Sequence, residues 1–187
     1  RKKSNQKTFV VQLLNPRVNP TLFDIVVPHI HDKIYGKNVF PTIGAINRVN
    51  NKLLEKELKN FISDFSNIPK PSIAILIGGN SKHYKLDNHA SNEIFRKIKK
   101  TQDEYNAGLL VTFSRRTDPE LIKKCKEKLQ NANTFIWDNV GENPYYAYLA
   151  FADFIVVTED SISMTSEAAS TGKPVYIINL PSNSKKF

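Results

Sequence analysis

Residues 156–178 read VVTEDSISMTSEAASTGKPVYII, and their pattern decides the fold. Two β-branched apolar runs, Ile155-Val156-Val157 and Val175-Tyr176-Ile177-Ile178, flank a polar segment rich in Ser and Thr. Short apolar runs of this kind predict strands, and the segment between them predicts a helix from Met164 to Thr171. Gly172 and Pro174 would end that helix, as a left-handed cap and a residue that cannot continue it. A strand–helix–strand unit with short connections implies parallel pairing and a right-handed crossover.

The unit recurs upstream. Ser72–Ile77, Leu109–Phe113, Thr134–Trp137 and Phe154–Val157 read as strands. Helices are expected from about Asn88 to Lys100, after Thr117, and from Pro144 to Phe151. Thr117 with Glu120 has the spacing of a capping box, and Pro119 suits a first turn. Leu121, Ile122, Cys125 and Leu129 would be the buried stripe of the helix that follows. The fold class is therefore α/β, a doubly wound parallel (Rossmann-like) sheet, whose ligands bind beyond the carboxyl ends of the strands.

Residues 1–70 read differently. Phe9–Leu13 and Phe23–Val27 suggest strands, and a helix from about Asn50 to Phe65 carries Leu53, Leu54, Leu58, Phe61, Ile62 and Phe65. Two strands do not make a stable domain. The expected division is 1–66 as the remnant of an upstream domain with a connecting helix, 67–71 as a linker, and 72–187 as the Rossmann-like domain. RKKSNQKTF at the start lacks a Met, which suggests a piece of a longer protein.

Composition narrows the classes. One Cys among 187 residues excludes a disulfide framework and a cysteine zinc cluster, and fits a reducing, cytoplasmic setting. No apolar run reaches the ~18 residues of a membrane span. The net charge of +9 favours anionic partners. The lysines fall on solvated helix faces without interleaved aromatics, so nucleic acid is not expected. Peripheral contact with an anionic membrane surface remains a further reading of that charge.

The strand ends supply the candidate site. Gly78-Gly79-Asn80-Ser81-Lys82 follows the first strand, and backbone amides of such a loop can approach a phosphate. The loop matches neither the dinucleotide fingerprint nor a P-loop. Ser114-Arg115-Arg116-Thr117 ends the second strand, and a guanidinium there can clamp a diphosphate. Adjacent strand-end residues point opposite ways, so one of the two arginines would face the ligand. Gly141, Glu142, Asn143 and Tyr145 lie where a base edge could be read. Asp160, Ser161, Ser163 and Ser166 lie at a helix N-terminus, which favours anions. Glu167, about one turn in, can accept two hydrogen bonds from a ribose diol; alternatively it only complements the helix dipole. His29, His31 and Asp32 have the spacing of a strand-borne metal site, with His83 and Asp87 as possible additions. No second paired motif supports them, and the sequence assigns no metal.

GGNSKHY (78–84), SRRT (114–117), GENPY (141–145), DSISMTSEAASTGKPV (160–175) and NVFPTIGAINRV (38–49) together resemble a family of bacterial and plant proteins that includes a plant mitochondrial fission factor. Its bacterial members often carry the label of nucleoside-diphosphate-sugar epimerase. That label fails on the residues: there is no GxGxxG, and none of the seven tyrosines has a Lys four residues later. The last segment also resembles the nucleotide-sugar half of glycosyltransferases of the two-Rossmann-domain (GT-B) type. Gly78, Gly79 and Ser81 match a donor-phosphate loop there, and Ser166 and Glu167 a ribose-binding pair. The Ser-Gly that begins the corresponding segment falls on Asp160-Ser161.

The resemblance implies the C-terminal half of a GT-B-like fold with a partial N-terminal domain. It implies a nucleoside diphosphate or nucleotide sugar as ligand and substrate, with no cofactor. No catalytic residue carries over, because the base of such enzymes lies in the N-terminal domain. The rival function is a non-catalytic scaffold that recruits protein partners.

Overall fold

Near-continuous apolar runs are strands covered on both faces, and in the computed structural model all six residues of Ser72–Ile77 are buried. The structure describes residues 7–80, 84 and 86–180. Contacts divide the chain into two compact units, residues 1–47 and 48–187.

In the first unit, β1 (Val11–Leu13) and β2 (Ile25–Val27) pair in parallel. The connection turns through Leu14 and Arg17, both in the left-handed region at φ 68° and 54°, and through a 3-10 turn capped by the Asn19 side chain. A third segment continues the ladder beside β2. Phe40 N–H donates to Val26 O at 2.9 Å, and Thr42 N–H to Pro28 O at 2.9 Å.

The second unit begins with α1 (Asn51–Phe61), capped by Asn50 through the Leu53 amide. Its helix is shorter than the expected Asn50–Phe65. Phe65 lies beyond the helix end and is 1% exposed. Its ring meets Phe135, Tyr148 and Phe151 at centroid distances of 5.6, 5.5 and 5.3 Å. This corrects the expected boundary. Helix α1 packs with the Rossmann-like unit, because its apolar stripe shares one core with that unit's helices. The expected linker 67–71 is packed as well: Ile68 is buried, and its Cγ2 would lie 2.4 Å from a Cβ on Gly108.

The remaining elements are β3 (Ser72–Ile77), α2 (Asn88–Tyr105), β4 (Gly108–Phe113), α3 (Pro119–Leu129), β5 (Thr134–Ile136), α4 (Tyr145–Phe151), β6 (Phe154–Thr158), α5 (Ile162–Ala169) and β7 (Val175–Ile178). They build a five-stranded sheet in the order β5-β4-β3-β6-β7, with every pair parallel. Alternate strand residues point to opposite faces. Ile73, Ile75, Leu109 and Val111 meet α2 and α3 on one side. Ala74, Leu76, Leu110, Ile155 and Val157 meet α1, α4 and α5 on the other. Cys125 belongs to the first core, as its stripe predicts.

Two local expectations change. Helix α3 is capped by Asp118, whose side chain accepts from Glu120 N–H, and Thr117 is turned elsewhere. Helix α5 starts at Ile162 rather than Met164, with Ser161 as its cap. Of the small residues behind Glu167, Ala168 is buried while Ala169 and Ser170 are exposed. Gly172 ends the segment at φ 74°, a conformation that favours glycine.

Candidate functional site at the sheet's switch point

The chain runs outward from β3 through β4 to β5, then returns to the other side of β3 for β6 and β7. The strand order therefore reverses between β3 and β6, where doubly wound sheets open a crevice. The carboxyl ends of those two strands carry Gly78-Gly79 and Thr158-Glu159-Asp160.

These residues close on one carboxylate. Gly79 N–H donates to Asp160 Oδ2 at 3.1 Å. The Thr158 hydroxyl donates to Asp160 Oδ1 at 2.7 Å and accepts from Gly78 N–H at 2.7 Å. Arg116 Nη2 lies 3.1 Å from Asp160 Oδ2, and the aspartate side chain is 0% exposed. The pair of glycines serves close packing. A Cβ on Gly78 would lie 2.0 Å from Asp160 Oδ1, and one on Gly79 would lie 2.2 Å from the Arg116 carbonyl oxygen.

The SRRT segment supports the same cluster. The Thr117 hydroxyl donates to Gly78 O at 2.7 Å, which explains why it does not cap α3. Ser114 Oγ lies 3.2 Å from Thr117 Oγ1 and accepts from Arg116 N–H at 3.2 Å. Arg116 Nη1 also reaches Asn80 O at 3.5 Å. Arg115 is exposed. Asn80 Oδ1 accepts from Leu86 N–H at 3.0 Å. Ser81 and Lys82 lie outside the described residues.

The second cluster surrounds Glu167. The Tyr145 hydroxyl donates to Glu167 Oε2 at 2.7 Å, and the Tyr146 hydroxyl is 3.5 Å from Oε1. Burial, with the Glu167 hydrogen bond second, pushes the Tyr145 phenol far above its ordinary value, so it remains a donor. The Arg48 guanidinium lies 6.0 Å from the Tyr146 ring centroid. Its pKa is raised, first by the hydrogen bond with Tyr146. Glu167 is not in the first turn of α5. A simple dipole role therefore fits poorly, since that effect fades within the first turn.

The other expected residues are more ordinary. Ser161 Oγ accepts from Met164 N–H at 3.3 Å, Ser166 Oγ donates to Ile162 O at 2.8 Å, and Ser163 is exposed. Asn143 Oδ1 accepts from Tyr145 N–H at 3.0 Å, while Gly141 and Glu142 are exposed. The structure thus gathers Gly78, Gly79, Asn80, Ser114, Arg116, Thr117 and Asp160 in one network, and Tyr145 with Glu167 in another. Thr158 lies in the expected strand-end stretch Thr158–Glu167. Tyr146 and Arg48 carry no signal of their own in the sequence, although Arg48 falls within the NVFPTIGAINRV stretch.

The candidate metal residues also move. His31 and Asp32 sit on a 3-10 turn (Ile30–Asp32) after β2, with His29 at its N-cap, rather than on the strand. Asp87 caps α2 through Ala90 N–H at 2.8 Å, and His83 lies outside the described residues. Among those residues, no helix is long and apolar enough to cross a membrane.

The chain is 27% identical over 202 residues to the Mitochondrial fission protein ELM1 of Arabidopsis thaliana, covering 95% of this chain and 47% of that protein. It is 29% identical over 216 residues to a Rickettsia prowazekii (strain Madrid E) protein, "Uncharacterized protein RP120", covering 96% of this chain and 60% of that one. It therefore spans about half to three-fifths of these relatives' lengths. Among solved structures, POFUT1 in complex with GDP aligns at a TM-score of 0.45 and 16% identity, over 70% of this chain and 47% of that one. POFUT1 in complex with GDP-fucose aligns at 0.44 and 16%, over 74% and 53%. The family described as Mitochondrial fission ELM1 matches residues 1–187 throughout, and the chain belongs to that family.

Proposed function

We propose that the 48–187 unit binds a nucleoside diphosphate or nucleotide sugar at the β3/β6 switch point, as the donor half of a GT-B-like arrangement. In this reading, residues before Arg48 belong to the N-terminal domain. One observation carries the proposal: an amide, a hydroxyl and a guanidinium converge on a single buried carboxylate. Such a donor set is what an anion requires, and Asp160 supplies the anion internally. An incoming diphosphate would compete with Asp160 for Arg116 and lie at the first turn of α5. Glu167 follows Ile162, the first residue of α5, by five positions, or about 7.5 Å along the axis, a span suited to the distance from diphosphate to ribose.

A second reading draws on the same carboxylate. Asp160 and Glu167 already have partners, so the fold can stand as a scaffold without a nucleotide. The name of the Arabidopsis relative points to fission of mitochondria. In that case the surface, not the crevice, does the work.

Calorimetric titration of uridine, guanosine, cytidine and thymidine diphosphates separates the two. The expected result is one-to-one binding of at least one of them, strengthened about tenfold in Asp160→Asn, a change of about 1.4 kcal/mol, because a competing charge is removed. Circular dichroism checks that the variant folds. Absence of binding by both proteins at millimolar nucleotide rejects the donor site and leaves the scaffold.

A further inference from the structure

We propose that His29, His31 and Asp32 form a binding site for a divalent transition-metal ion. One ligand atom from each lies within 4.8 Å of the other two, and the two imidazole rings are 5.1 Å apart at their centroids. Bound to zinc at ~2.0–2.2 Å, such atoms would stand roughly 3.3–3.5 Å from one another.

The backbone is already fixed. Pro28 is buried, Ile30 N–H donates to Thr42 O at 2.8 Å, and Thr42 N–H returns to Pro28 O at 2.9 Å. His29 is extended at φ −75° and ψ 148°, and Lys33 closes the turn at φ 51°. This geometry brings both rings and the carboxylate to one side of a single turn. Asp32 is oriented by two donors: His29 N–H reaches Oδ2 at 3.2 Å, and Asn15 Nδ2 reaches Oδ1 at 3.4 Å. A carboxylate has about four acceptor positions, so the remaining lone pairs can face an ion. Partners of this kind tune metal ligands in known sites.

The observation that points to a ligand is His29 Nε2. This atom is enclosed and has no hydrogen-bond partner among the described residues. An enclosed polar atom left unsatisfied is costly, and with the ring proton on Nδ1 the Nε2 lone pair is available to a metal ion. Two imidazoles and one carboxylate are a set that zinc, iron and cobalt accept. Three protein ligands leave a coordination position for water or a ligand oxygen.

The test is zinc titration of the untagged 187-residue chain, with cobalt as a spectroscopic probe. Expected are one zinc per chain and visible cobalt bands that zinc displaces. His31→Ala, at an exposed position, should weaken binding by at least about tenfold while keeping the far-ultraviolet spectrum. Asp32→Asn provides a second variant should the first not fold. His89→Ala, on α2, should bind as the unmodified chain does. The proposal is overturned if the unmodified chain takes up no stoichiometric metal. It is overturned equally if both site variants bind unchanged, or if His89→Ala is the substitution that abolishes binding.

Discussion

Gly78 and Asp160 share a space that admits no further atom: a Cβ on Gly78 would fall 2.0 Å from Asp160 Oδ1 and 2.3 Å from Cγ. The glycine is needed because a buried carboxylate from the end of β6 occupies the ground beside it. That carboxylate is itself held by Gly79, Thr158 and Arg116. The glycine loop and the acidic residue are therefore two halves of one structural feature.

A double-mutant cycle tests this coupling. Gly78→Ala should cost about 1–3 kcal/mol through overpacking. In an Asp160→Ala background most of that penalty should vanish, giving a coupling of roughly 0.5–3 kcal/mol. Gly79→Ala should stay costly in both backgrounds, since its obstacle is the Arg116 backbone at 2.2 Å. Urea unfolding midpoints measure all of these. Equal Gly78→Ala penalties with and without the Asp160 carboxylate would refute the packing argument.

Asp153 should make stability depend on pH. Burial pulls its pKa upward, but hydrogen bonds from the Ser72 amide and hydroxyl and from Lys70 outweigh this and hold it below the ordinary value. Those bonds measure 2.8, 3.0 and 3.1 Å. A depressed folded pKa stabilises above the unfolded value of about 3.9, and the gain is lost as pH falls through the folded value. The side chain is 41% exposed, so solvent screening limits the effect to about 0.5–1 kcal/mol. Asp153→Asn should thus be less stable at pH 7 and match the unmodified protein near pH 2. A stability gap that persists unchanged at low pH would contradict it.

Cys125 should behave as a core residue rather than a thiol reagent. It is 0% exposed, and burial pushes its pKa up to about 12. Only the thiolate reacts readily, so Ellman's reagent at pH 8 should label the folded chain slowly. Labelling should rise with denaturant in step with unfolding. Immediate stoichiometric labelling of the native chain would place the thiol at the surface.

The parts of the fold legible in the sequence are those set by local pattern. Val175–Ile178 is a strand with the expected bounds, and the buried stripe of α3 is the expected Leu121, Ile122, Cys125 and Leu129. Periodicity and turn chemistry act within a few residues and leave a readable trace. Partners distant in sequence leave none. Gly79 and Asp160 are 81 positions apart and Tyr145 and Glu167 are 22 apart, and nothing near Asp160 or Glu167 announces these distant donors. The same limit hid the packing of α1 on α4, because an amphipathic helix shows which side is apolar but not what covers it. Thr117 shows the competition directly: its spacing favours a helix cap, yet the Gly78 carbonyl just beyond β3 claims its hydroxyl.

Glu167 and Tyr145 form a hydrogen-bonded pair between α4 and α5. The phenol stays protonated and donates to Oε2 at 2.7 Å. The 3.5 Å approach of Tyr146 leaves Oε1 only weakly engaged. A ribose would therefore bind a carboxylate already oriented by Tyr145. Under the proposed function, Glu167→Gln removes the charge and turns one acceptor into a donor. Hydrogen bonds to charged groups contribute roughly 1.5–3 kcal/mol, so nucleotide affinity should fall about ten- to a hundredfold. Tyr145→Phe keeps the ring and loses the orienting donor; it should lower both stability and affinity, each by about 1 kcal/mol. A 2′,3′-dideoxy nucleotide should bind the unmodified protein about as poorly as the normal nucleotide binds the Gln variant. Titration calorimetry paired with thermal melts resolves these effects. If Glu167→Gln and Tyr145→Phe lower the melting temperature alike while nucleotide affinity stays intact, the pair serves only to tie α4 to α5.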